Sequence, residues 1–90
     1  MIYSMHIEAN DNPAMLERIL QTTRVRGFHI RHLDVRGHES KESLRITMTV
    51  ESSRDQNRLI TQLHKISGIM ELTALHSING DNAEPASATA

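Results

Sequence analysis

The chain has 90 residues, 10 basic against 11 acidic side chains and no cysteine. That length makes one domain with a modest core, so marginal stability alone and oligomerisation are expected. Near-neutral charge offers no field to draw nucleic acid or an anionic membrane, and the lack of cysteine removes disulfides and thiolate metal sites, which fits a cytoplasmic protein.

The first residues carry neither the basic segment nor the apolar run of an export signal, and no apolar stretch approaches the roughly 20 residues of a membrane span, so a soluble chain is expected. Strand one follows from Tyr3, Met5, Ile7 and Ala9 alternating with Ser4, His6 and Glu8. Asn12 offers an N-cap oxygen and Pro13 suits the first helical position, so helix one is predicted to begin there. Leu16, Ile19, Leu20 and Thr23 form its buried stripe, while Glu17, Arg18, Gln21 and Arg24 face water. Arg24 and Arg26 suit the negative end of the helix dipole, and Gly27 is placed to close the helix in a left-handed conformation with Phe28 folding back.

Strand two, about residues 29 to 36, alternates poorly because Ile30 is out of phase with Leu33 and Val35, which predicts a bulged edge strand. A turn at residues 37 to 41 leads to strand three, where Leu44, Ile46, Met48 and Val50 alternate cleanly, as a central strand does. Ser53 to Gln56 has the form of a capping box and predicts the start of helix two. Leu59, Leu63 and Ile66 are its apolar stripe, Gly68 ends it, and Met70, Leu72 and Ala74 open strand four. From residue 79 onward nothing can be buried, so residues 1–78 are read as the domain and 79–90 as a disordered tail.

The order βαββαβ predicts an α+β fold, a ferredoxin-like two-layer sandwich with an antiparallel sheet in the order 4-1-3-2. That superfold says nothing alone about function. Base-stacking aromatics are missing from strand three, whose outward residues are Arg45, Thr47, Thr49 and Glu51, which argues against RNA binding. The six histidines show no convergent ligand spacing: His29 and His32 would point to opposite faces of their strand. No serine sits in a nucleophile elbow, and the loop Asn10-Asp11-Asn12 would repel phosphate. Neither a catalytic nor a metal site is expected. The start of helix one has both an ordinary capping reading and a functional one, since amides at a helix N-terminus can receive a carboxylate.

The segment Asp11-Asn12-Pro13-Ala14-Met15-Leu16-Glu17-Arg18-Ile19, closed by Arg26-Gly27-Phe28-His29-Ile30, resembles the D/N-x-P-G-x-L-x-R-I … R-G-Y-N-I signature of ACT domains. Across residues 2 to 78 the chain is most similar to the small regulatory subunits of acetohydroxyacid (acetolactate) synthase, particularly the short isozyme II type. The resemblance implies a non-catalytic subunit that binds and activates a large catalytic subunit in branched-chain amino-acid synthesis. Thiamine diphosphate, Mg²⁺ and FAD would then belong to the large subunit. It also implies a homodimer through the ACT domains, with an amino-acid effector site at the interface. That site would draw on Asp11, Asn12, Pro13, Ala14, Met15 and Leu16 and on His29 and Ile30. Three of these depart from the pattern: Asp11 stands for Asn, Ala14 for Gly and His29 for Asn. A carboxylate at Asp11 opposes that of the effector, the Ala14 methyl obstructs approach to the amides, and His29 alters the hydrogen-bonding set. Weak or absent valine sensitivity is therefore expected. Two other readings remain: a stand-alone ACT module sensing an amino acid for another enzyme, and a ligand-free interaction module.

Overall fold

A computed structural model describes residues 1–37 and 42–78. Most of the expected turn at 37 to 41 and the expected tail lie outside the described residues. The elements are β1 (Ile2–Asn10), α1 (Met15–Val25), β2 (His29–Gly37), β3 (Ser43–Glu51), α2 (Gln56–His64) and β4 (Ile69–Ile78). The four strands form one sheet in the order β2-β3-β1-β4, the predicted topology, and every neighbouring pair is antiparallel.

The core follows the alternation of the two central strands. Tyr3, Met5, Ile7 and Ala9 of β1 and Ile46, Met48 and Val50 of β3 are buried beneath Met15 and Ile19 of α1, Leu59 and Leu63 of α2, and Phe28. Three methionines fill this interior, where a flexible thioether suits a core with few aromatic rings. The chain's single tyrosine and single phenylalanine, Tyr3 and Phe28, lie with ring centroids 6.4 Å apart in a tilted arrangement. The Tyr3 hydroxyl leaves the core to donate to the Arg54 carbonyl at 2.9 Å.

Both helix starts differ from expectation. Helix α1 begins at Met15, and its cap residue Ala14 has no side chain to contribute. Asn12 instead organises the preceding turn: its Oδ1 accepts from the Ala14 amide and its carbonyl from the Met15 amide, each at 3.1 Å. An asparagine that closes a turn on itself in this way forms a lead-in rather than a cap. The buried stripe consequently runs through Met15, Ile19 and Thr23, with Leu16 and Leu20 at its margin. Thr23 is tolerated there because its hydroxyl donates to the Ile19 carbonyl at 2.7 Å.

At α2 the capping box does not form. Asp55 is the cap, accepting from the Asn57 amide at 3.0 Å, and the Oε1 of Gln56 is buried without a partner. A carboxylate is the stronger acceptor at the positive end of a helix, which explains why Asp55 displaces Ser53. The helix ends at His64, earlier than Gly68, which takes the left-handed turn into β4 at φ +101°.

The edge strands carry the irregularities. Strand β2 has a register break between Ile30 and His32, as its poor alternation predicts. Strand β4 breaks register twice against β1: Leu72 packs on the core as the alternation predicts, but Ile69 joins it while Met70 and Ala74 are exposed, contrary to that alternation.

Candidate functional site

The loop between β1 and α1 is tied down on both sides. Asn10 donates its amide to the Gly68 carbonyl at 2.8 Å, and Asp11 donates its amide to the Glu42 carbonyl at 3.1 Å. Asp11, Asn12 and Pro13 are exposed on this support, Ala14 and Leu16 are half-buried, and Met15 is fully buried. Gly68 closes against the underside: a Cβ there would lie 2.5 Å from the Met15 Cε and 3.5 Å from the Asn10 Nδ2. The amides of Ala14 and Met15, which a carboxylate could otherwise approach, are already held by Asn12. Ala14 has φ −96°, so its methyl group causes no backbone strain.

His29 and Ile30 lie elsewhere in the protomer. They pair with Glu51 and Val50 at one end of β3, whereas the loop adjoins Asn10, which pairs with Ser43 at the other end. Eight residues of strand separate these positions, or about 26 Å. Within one protomer the two halves of the predicted site are therefore apart. His29 is exposed, Ile30 packs against the margin of the core, and both line a surface hollow of about 500 Å³ with Arg24, Gly27 and Phe28. Beside them Arg31 pairs with Glu51, both half-exposed.

Gly27 organises this end. Its φ of +88° closes α1 with the paired hydrogen bonds of a Schellman turn, Phe28 amide to Thr23 carbonyl and Gly27 amide to Arg24 carbonyl. The Ser52 hydroxyl donates to the Gly27 carbonyl and accepts from the Arg54 amide, each at 3.0 Å, which joins the end of α1 to the approach to α2. Between them lies a groove of about 470 Å³ lined by Val25, Arg26, Arg54, Asn57, Arg58, Thr61 and Gln62. The sequence reading placed Arg26 at a helix end and attached no role to Arg54 or Arg58. Their convergence was recoverable from the βαββαβ order, which brings the C-terminus of α1 and the N-terminus of α2 to the same end of the sheet.

Among the described residues no three His, Asp or Glu side chains converge as a metal site requires. No helix among them is long and apolar enough to cross a membrane.

The ACT domain family matches residues 11–72. The acetolactate synthase isozyme 2 small subunit of Escherichia coli K12 is 30% identical over 77 residues, covering 86% of this chain and 88% of the relative, and that of Shigella flexneri matches to the same extent. Among solved structures, the ACT domain of the GTP pyrophosphokinase of Chlorobium tepidum superposes with a TM-score of 0.72 at 14% identity, covering 83% of this chain and 97% of its own. The C-terminal domain of the MgtC protein of Mycobacterium tuberculosis gives 0.63 at 14% identity, over 92% of this chain and 93% of its own. These structural likenesses establish the fold. Together with the family match and the curated relatives, they show that the chain belongs to the ACT-domain family, in the branch of acetolactate synthase small subunits.

Proposed function

We propose that the chain is a non-catalytic activating subunit of an acetolactate synthase, acting in branched-chain amino-acid synthesis in the cytoplasm. The observation that carries this reading is the similarity to the Escherichia coli small subunit along nearly the whole length of both proteins. The partner is a large catalytic subunit, and thiamine diphosphate, Mg²⁺ and FAD are assigned to it. Activation works by differential affinity, the small subunit binding the active arrangement of its partner more tightly than the inactive one.

A homodimer through the β2 edge completes the effector site. A two-fold axis beside β2 pairs that strand antiparallel with its copy, so the end bearing His29 and Ile30 in one protomer approaches the end bearing Asp11 to Leu16 in the other. The register of a single protomer, which holds the halves about 26 Å apart, supports this reading. Valine binds such a site weakly or not at all. The Asp11 carboxylate opposes the ligand's own, and the amides nearest it are already bonded.

Reconstitution with the large synthase subunit tests the reading. The expected outcome is one complex containing both chains on size-exclusion chromatography. Elution as separate species at micromolar concentrations contradicts it, and tight binding of an amino acid by this chain alone would then favour the stand-alone sensor.

A further inference from the structure

The groove between the helix ends concentrates positive charge that no described ion pair engages. Arg26, Arg54 and Arg58 line it, and none of them has an acidic partner among the described ion pairs. Three of the chain's eight arginines thus converge on one surface of a protein whose net charge is −1. Asp55 flanks the groove and offsets part of this charge without pairing with an arginine in the described ion pairs; its Oδ1 accepts from the Asn57 amide at the helix cap.

Like charges repel, so such a cluster disfavours the isolated protein unless a counter-charge arrives. The framework under the arginines is fixed. Arg26 donates to the Gln62 Oε1 at 2.9 Å, the Arg54 amide is bonded to Ser52, and the Arg54 carbonyl accepts from Tyr3. At the rim Val25 is 70% exposed, an apolar anchor beside the guanidinium groups, while Asn57, Thr61 and Gln62 supply uncharged polar contacts. Arginine and apolar anchors with adaptable polar neighbours are the composition of a protein-binding surface, and the planar guanidinium fork matches carboxylates in pairs.

We propose that this groove docks an acidic segment, rich in Asp or Glu, of the large catalytic subunit. The assignment rests on the function proposed above and extends it by naming the surface and the chemistry of its occupant. The groove opens at the Gly27 end of the fold, across from the loop bearing Asp11 to Ala14, so contact with the catalytic subunit and the effector loop occupy different ends of a protomer.

The test is the affinity of the full-length chain for the purified large subunit, measured by interferometry across a salt series. Wild type is compared with Arg54→Lys/Arg58→Lys, Arg54→Gln/Arg58→Gln and Arg54→Glu/Arg58→Glu, with thermal melts confirming that each folds. Affinity is expected to decline in that order, with the glutamate pair weaker than wild type by about tenfold or more and the wild-type complex weakening as salt rises. Undiminished affinity of the folded glutamate pair for a large subunit that binds wild type would overturn the docking site and leave the proposed function intact. Failure of wild type to bind overturns both. Self-association of wild type that the glutamate pair abolishes assigns the groove to a second copy and overturns the proposal as well.

Discussion

Gly27 and Gly68 hold the left-handed backbone, at φ +88° and +101°, that lets each helix return to the sheet. A β-branched residue is strained there, so Gly27→Val is expected to lower stability by about 1–3 kcal/mol, read as a drop in melting temperature. An unchanged melt would mean that α1 closes without this turn. Gly68→Ala is expected to cost more than Gly27→Ala, because its added methyl meets the buried end of Met15, whereas at Gly27 it meets the exposed, movable side chain of Arg54. Equal melts for the two alanine variants would contradict that difference. Tyr3→Phe removes the bond to the Arg54 carbonyl, and a loss of about 1 kcal/mol in a denaturant titration is expected. Residues of this kind were legible to different degrees. Glycine after a helix announces itself because few other residues accept the conformation, whereas several neighbouring oxygens can compete for one helix start. Asn12 and Asp55 won or lost that competition by a two-residue shift that no spacing rule resolves.

Elements with one buried face were easiest to read. β1 and β3 alternate strictly because they are central, with partners on both sides to enforce register. β2 and β4 are edges, each with one free side, and the register breaks at Ile30/His32 and at two points of β4 show how little constrains them. Of the β4 residues read from sequence, Leu72 packs on the core, whereas Met70 and Ala74 are exposed. The unpaired side of β2 is the same feature that underlies the proposed dimer, since an exposed ladder of backbone groups is a template for another strand. Sedimentation equilibrium at micromolar concentrations is expected to give the dimer mass, and a monomer throughout that range would contradict pairing at this edge.

On the scale of the whole molecule, the sequence motifs name both halves of the proposed effector site but not their separation, which depends on the sheet order. Within one protomer Asp11 and His29 lie at opposite ends of the sheet, and the proposed dimer is what would bring them into one site. The triple change Asp11→Asn, Ala14→Gly and His29→Asn is expected to raise valine affinity roughly ten- to hundredfold by calorimetry. Tight valine binding by the wild type would contradict the proposed insensitivity. The arginine groove eluded motif reading for a related reason, because its members come from Arg26, Arg54 and Arg58, on two segments that only the fold makes neighbours.

The central claim, that this chain activates an enzyme without catalysing anything itself, is tested most directly by acetolactate formation. With the large subunit held fixed and saturated with its cofactors, titration of the small subunit should raise the rate to a plateau at a fixed stoichiometry, while the small subunit alone forms no product. A rate independent of added small subunit, at concentrations where the complex is shown to form, would contradict the account.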